Sequence, residues 1–108
     1  MGWLKRIFGM EKPAGGTTAP VAKDKSTPAA KVGLNGEFDE SGLAKRVVLA
    51  FDEDPNLADE DKLWVAQTGG TVVLKGTVSD QATLTKMVSV ASKVSGATDV
   101  NTDQVTVG

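Results

Sequence analysis

Residues 63–78, LWVAQTGGTVVLKGTV, alternate apolar and polar positions on both sides of Gly69-Gly70. The pattern predicts a β-hairpin, since Gly-Gly suits two-residue turns that need positive φ. With the glycines at the tip, Thr68 faces Thr71, Gln67 faces Val72, Ala66 faces Val73, Val65 faces Leu74, Trp64 faces Lys75 and Leu63 faces Gly76. Cross-strand partners share a face. One face therefore carries Leu63, Val65, Gln67, Val72, Leu74 and Val78, mostly aliphatic; the other carries Trp64, Ala66, Thr68, Thr71, Val73, Lys75 and Thr77, mostly polar. A one-residue slip would reverse this division, so the register is well specified.

Helical periodicity flanks the hairpin. Leu43, Val47, Ala50 and Phe51 share a helical stripe, with Asp39 placed to cap it and Phe38 and Leu43 at the positions of a hydrophobic staple. Asp52, Glu53, Asp54 and Pro55 end that helix, and three acids there oppose the helix dipole. After the hairpin, Ser79 or Asp80 caps a second helix with Thr83 at its start and an inward stripe of Met87, Val90, Ala91 and Val94; Gly96 suits a left-handed C-cap. A last strand lies in residues 99–107, with Val105 and Val107 on one face. The expected fold is α+β, a single small domain of order α-β-β-α-β over residues 38–108. Two helices pack on one face of a three-stranded mixed sheet, and the last strand runs parallel to the second by the crossover rule. The Trp64 face has no layer over it, and a disordered tail precedes the domain.

The tail divides in two. In residues 1–10, Trp3, Leu4, Ile7 and Phe8 share a helical face while Lys5 and Arg6 point away. An aromatic-aliphatic face beside cations suits an interfacial helix, and so short a segment folds only against a membrane or a protein surface. The alternative is a frayed terminus. Residues 11–37, rich in Pro, Ala, Gly, Thr and Lys, read as a flexible linker with a reach of roughly 25–30 Å, able to tether the domain or to fold back onto it.

Charge follows the same division. Residues 1–37 hold six Lys and Arg against three acids, a net of +3, whereas residues 38–108 hold six against eleven, a net of −5. A basic tail on an acidic domain points to different partners for each, and the acidic domain is poorly suited to a phosphate backbone, which argues against nucleic acid. Without His, Cys or Tyr, the chain has no disulfide, no thiolate and no imidazole base or ligand. No enzyme is expected, and no cofactor. No apolar run is long enough to span a bilayer. Residues 1–10 do not read as a secretory signal, because Lys5 and Arg6 interrupt the short apolar stretch. Arg6 stands where myristoylation wants Ser or Thr. The expected location is cytoplasmic, peripheral on the inner membrane face.

Two other groups carry candidate chemistry. Asp52, Glu53, Asp54, Asp59, Glu60 and Asp61 crowd one loop, but an EF-hand counted from Asp52 would place Leu57 and Leu63 where Gly and Glu belong. The loop is either a solvated acidic stretch or a looser cation site of carboxylates and carbonyls. On the open sheet face, Trp64, with Lys75 opposite and Val73 diagonal, is either sheltered by those neighbours or forms a patch for a protein partner, a second copy or the Trp3 helix.

The order LWVAQTGG, then Val72-Leu74-Gly76-Val78 (V-x-L-x-G-x-V), then SDQATLTKMVSVASKVSGA, then QVTV resembles the bacterial BON domain. The resemblance covers residues 41–107, with Gly70, Gly76 and Gly96 in place. Gln67 departs from the usual aliphatic residue, and the closing strand is one residue longer than in many members. The end VSGATDVNTDQVTV, after ADEDKLWV, is similar to the BON half of the cytoplasmic BON–LysM potassium-binding proteins, although the LysM half is absent. The resemblance implies a non-catalytic module that attaches to phospholipid surfaces or contacts proteins. It supplies no catalytic residues, and through the BON–LysM likeness it offers potassium as a ligand. The leading expectation is peripheral attachment to anionic phospholipid through Trp3, Leu4, Lys5, Arg6, Ile7 and Phe8. The alternatives are a potassium- or cation-responsive protein and a protein-interaction domain using Trp64, Val73 and Lys75.

Overall fold

A computed structural model describes residues 3, 7, 31–34, 39, 41–55, 57, 60, 62–94 and 96–108. The elements are α1 (Gly42–Glu53), β1 (Leu63–Thr68), β2 (Thr71–Val78), α2 (Gln81–Ser92) and β3 (Asp99–Val107). The sheet order is β1-β2-β3, with β1 antiparallel and β3 parallel to the central β2. This is the expected α-β-β-α-β arrangement, with both helices on the aliphatic face of a mixed sheet. No helix among the described residues is long and apolar enough to cross a membrane.

The hairpin pairs in the expected register from Leu63–Gly76 to Thr68–Thr71. Leu63, Val65, Val72, Leu74 and Val78 are buried, while Trp64, Thr68 and Lys75 are exposed. The turn differs in one respect: only Gly69 has positive φ (58°). That is the requirement of a type II′ turn, in which the first central residue alone is left-handed. Gly70 is needed for a different reason. The Thr98 N–H donates to its carbonyl at 2.8 Å, and a Cβ on Gly70 would lie 2.8 Å from Thr98 Oγ1.

Gln67 is the polar side chain that the hairpin places on its inner face, and it serves α1. Ser41, at the N-cap, makes no side-chain capping bond. Instead Gln67 Oε1 accepts from the Ala44 N–H at 2.8 Å, satisfying a helix N-terminal donor from across the core. Asp39 is not the expected cap but lies two residues before it: its Oδ1 accepts from the Ser41 N–H at 2.9 Å, and its Oδ2 meets Lys45 Nζ at 2.6 Å. Phe38, the other half of the expected staple, lies outside the described residues.

Of the two candidate caps for α2, the carboxylate of Asp80 takes the role, accepting from the Thr83 N–H at 2.7 Å. That backbone bond, and then the Thr83 side chain, hold the Asp80 pKa below its ordinary value. A folded-state pKa below the unfolded one gives stability that is present above the ordinary carboxylate range and is lost as pH falls through the lowered value. The buried stripe of α2 is Leu84, Met87 and Ala91, with Val94 beyond it. Met87, Ala91 and Val94 are thus buried as expected, Val90 is half-buried against the same core, and Leu84 joins the stripe. The helix tightens after Ser92, with the Lys93 and Val94 N–H groups bonding the Val90 and Ala91 carbonyls. The chain then turns at Gly96 (φ 96°).

A bulge in β3 reconciles its valines. Val100 and Val105 are an odd number of residues apart, so regular alternation would place them on opposite faces. Between the pairs Val73–Asn101 and Lys75–Gln104, β3 spends two residues, Thr102 and Asp103, against the single Leu74. The parity therefore flips. Val100, Val105 and Val107 pair with Val72, Gly76 and Val78, all on the inner face.

The folded body also includes chain upstream of Phe38. Val32 and Leu34, within the stretch expected to be linker, are buried. Arg46, 1 % exposed, donates from Nε to the Val32 carbonyl at 2.8 Å, and the Asp39 N–H donates to the Lys31 carbonyl at 2.7 Å. Burial lowers the Arg46 pKa from its ordinary value. The strap passes so close over Gly42 that a Cβ there would collide with the Val32 carbonyl. This contact gives α1 a second buried side. Ala44, Val48 and Leu49 are buried along with Leu43, Val47 and Phe51, as a helix apolar on nearly all sides requires. The rest of the expected linker, residues 11–30 and 35–37, lies outside the described residues.

Candidate binding surfaces

The outer face of the sheet brings Trp64, Val73 and Lys75 together, as the register requires. Trp64 is 47 % exposed, Lys75 is exposed and Val73 is half-buried. β3 extends the same rows with polar residues: Lys75 pairs with Gln104, Val73 with Asn101 and Thr77 with Thr106. Trp64 is thus a single large ring in a polar surround.

Trp3 does not join that face. It sits on the helical side, 1 % exposed, with its indole edge-on to Phe51 at a centroid distance of 5.3 Å and an interplanar angle of 66°. Such T-shaped pairs add to the gain from area burial. Its Nε1–H donates to the Leu57 carbonyl at 2.9 Å, so the ring's one polar group is satisfied inside the core. Ile7, four residues on, is half-buried against the same cluster. Two residues of the expected membrane face therefore pack on the domain in this conformation. Leu4, Lys5, Arg6 and Phe8 lie outside the described residues.

The segment that receives Trp3 is the acidic loop. Its backbone turns tightly, with Asp54 N–H to Phe51 O, Leu57 N–H to Asp54 O and Glu60 N–H to Leu57 O, all between 3.0 and 3.2 Å. Two of its described acids, Asp54 and Glu60, point to separate partners. Asp54 meets Lys86 at 3.5 Å, and Glu60 accepts from the Ser79 N–H at 3.0 Å and the Ser79 hydroxyl at 2.7 Å. Among the described residues no three acids converge to hold a metal ion; Asp59 and Asp61 lie outside them. An open cleft of about 270 Å³ lies beside the loop, lined by Leu57, Asp80, Ala82, Thr83 and Lys86. It mixes an anion that caps its own helix with a cation paired to Asp54, and so favours neither sign of ligand.

The burial of Trp3 could not be read from residues 1–10 alone. A signal lay in α1: Val48 and Leu49 fall off the stripe that faces the sheet, and their burial needs a second cover. The strand–turn–strand with Gly76, the crossover helix and the closing parallel strand match the BON domain family model over residues 39–108. The chain belongs to the BON family. BON domains are generally non-catalytic binding modules that engage phospholipids or proteins. No curated protein and no solved structure matches the chain. The BON match begins at residue 39, downstream of Trp3 and Leu34, which nonetheless share its core, and of Val32, which is buried beside it.

Proposed function

We propose that this BON protein attaches peripherally to anionic phospholipid at the inner membrane face, through the segment Trp3, Leu4, Lys5, Arg6, Ile7 and Phe8. The observation that carries the reading is the coincidence, in one short segment, of four large apolar residues at helical spacing with two adjacent cations, in a chain whose family engages phospholipid. Near an anionic surface each cation contributes about 1 kcal/mol. Burial of the apolar side chains adds to this, less the cost of ordering the segment. The acidic domain, net −5 over residues 38–108, is repelled by the same surface. Binding is therefore weak, reversible and salt-sensitive, as expected for a single anchoring signal.

Full-length protein is expected to co-sediment with phosphatidylglycerol-containing vesicles at low salt and to release at high salt. Lys5→Glu with Arg6→Glu reverses both charges without touching the apolar residues, and should abolish binding while the domain's circular dichroism is unchanged. This pair is a cleaner control than removing residues 1–37, which would also take Trp3, Val32 and Leu34 out of the core. Equal sedimentation of the double variant and the parent would sink the reading.

A further inference from the structure

We infer that Trp3 is a latch with two mutually exclusive partners, the BON core and the bilayer, so that membrane attachment opens the Phe51–Leu57 region of the domain. The inference rests on the membrane reading above and adds its regulation. An indole that is 1 % exposed, with its N–H on the Leu57 carbonyl and its edge on Phe51, has no surface left to give to lipid. Insertion therefore requires undocking. Ile7, packed on the same cluster, must leave with it.

The local structure suits reversible release. The Trp3–Leu57 bond joins residues 54 apart in sequence, whereas the loop that accepts it is fastened independently. Lys86 holds Asp54 at one end, Ser79 holds Glu60 at the other, and backbone bonds from Phe51 to Glu60 run between them. With the indole gone, those ties remain. What is lost is one of the two donors to the Leu57 carbonyl, which keeps the Glu60 N–H, and the cover over Phe51. Regaining the indole hydrogen bond and covering the Phe51 ring again favour recapture, so the docked state competes with lipid. The coupling is reciprocal. Whatever tightens docking weakens membrane binding by the same factor, and membrane binding loosens the loop. Since Leu57 also lines the cleft with Asp80, Ala82, Thr83 and Lys86, the cleft changes shape when the latch opens.

The full chain carrying Trp64→Phe makes Trp3 the one tryptophan. Without vesicles its emission should be blue-shifted and poorly quenched by acrylamide. With vesicles of phosphatidylglycerol and phosphatidylcholine it should become quenched by bromine-labelled acyl chains, while amide exchange speeds up between Phe51 and Glu60. Phe51→Leu removes the ring contact but leaves residues 1–10 intact, and should tighten vesicle binding about threefold to tenfold, the worth of one aromatic pair. Should that variant fail to fold, the lipid-quenching result decides alone. Vesicle binding with Trp3 still shielded from the labelled chains overturns the latch and leaves attachment to the remaining residues of the segment. No vesicle binding by the parent overturns both readings.

Discussion

Trp3→Ala should cost about 3–5 kcal/mol of folding stability, the range for truncating a buried large aromatic. Residues this near a chain end are usually neutral to change, because they are seldom tied down. Trp3 is tied by the edge contact with Phe51 and by its hydrogen bond to Leu57. The alanine variant leaves a cavity beside Phe51 and loses the indole hydrogen bond to the Leu57 carbonyl, which keeps only the Glu60 N–H, and both add to the loss. Against a total stability of about 5–15 kcal/mol for a domain, that is a large share. Trp64→Ala, on the open sheet face, should cost less than about 1 kcal/mol. Urea unfolding followed by far-ultraviolet circular dichroism compares the two without depending on tryptophan emission. If Trp3→Ala unfolds at the same midpoint as the parent, the docked indole is not part of the stable core.

Gly76→Ala should be comparably damaging. Gly76 has φ 122°, a conformation that side chains rarely adopt, and its added Cβ would strike the carbonyl oxygen of Lys62. That oxygen cannot simply retreat, since it accepts from the Thr77 N–H at 2.9 Å. Backbone strain of about 1–3 kcal/mol and an overpacking cost of about 1–3 kcal/mol act together. They fall at the start of β1, where Leu63 pairs with Gly76. Gly69→Ala meets no neighbouring atom, so it isolates the conformational part. Gly76→Ala should therefore exceed Gly69→Ala in thermal or chemical unfolding. Equal losses would mean that the Lys62 approach is not tight.

The parts of this fold legible in the sequence are those where one short stretch contains both partners of an interaction. The hairpin holds its own tip and both faces, so its register could be read from Leu63–Val78 alone. The crossover to β3 follows from chain handedness. The α2 stripe is legible at Met87, Ala91 and Val94, but the greater burial of Leu84 over Val90 is not, because both are apolar and only the sheet decides between them. What the sequence withheld was which surface an apolar segment seeks. Trp3 and Ile7 at helical spacing suit a bilayer and a protein groove equally well, and the groove is assembled from Phe51 and Leu57, far along the chain. Val32 and Leu34 were hidden by the linker-like composition around them. The BON resemblance covers residues 41–107 and so is silent on all four. Gln67, a departure from the family pattern, became intelligible only when Ala44 was found across the core.

The two-for-one bulge in β3 also bears on how copies of this protein avoid one another. β3 is an edge strand of the sheet, and an edge strand is a template for any extended chain that drifts alongside. Here the template is broken. Residues 99–101 and 104–107 pair with β2 in two separate runs, and exposed Asp103 sits at the break, its N–H turned back to Asn101 Oδ1 at 2.8 Å. An incoming strand meets a short ladder, a carboxylate and a donor already in use, then a second ladder out of phase with the first. The irregularity that turns Val100, Val105 and Val107 to the same side thus leaves little continuous edge for cross-β growth.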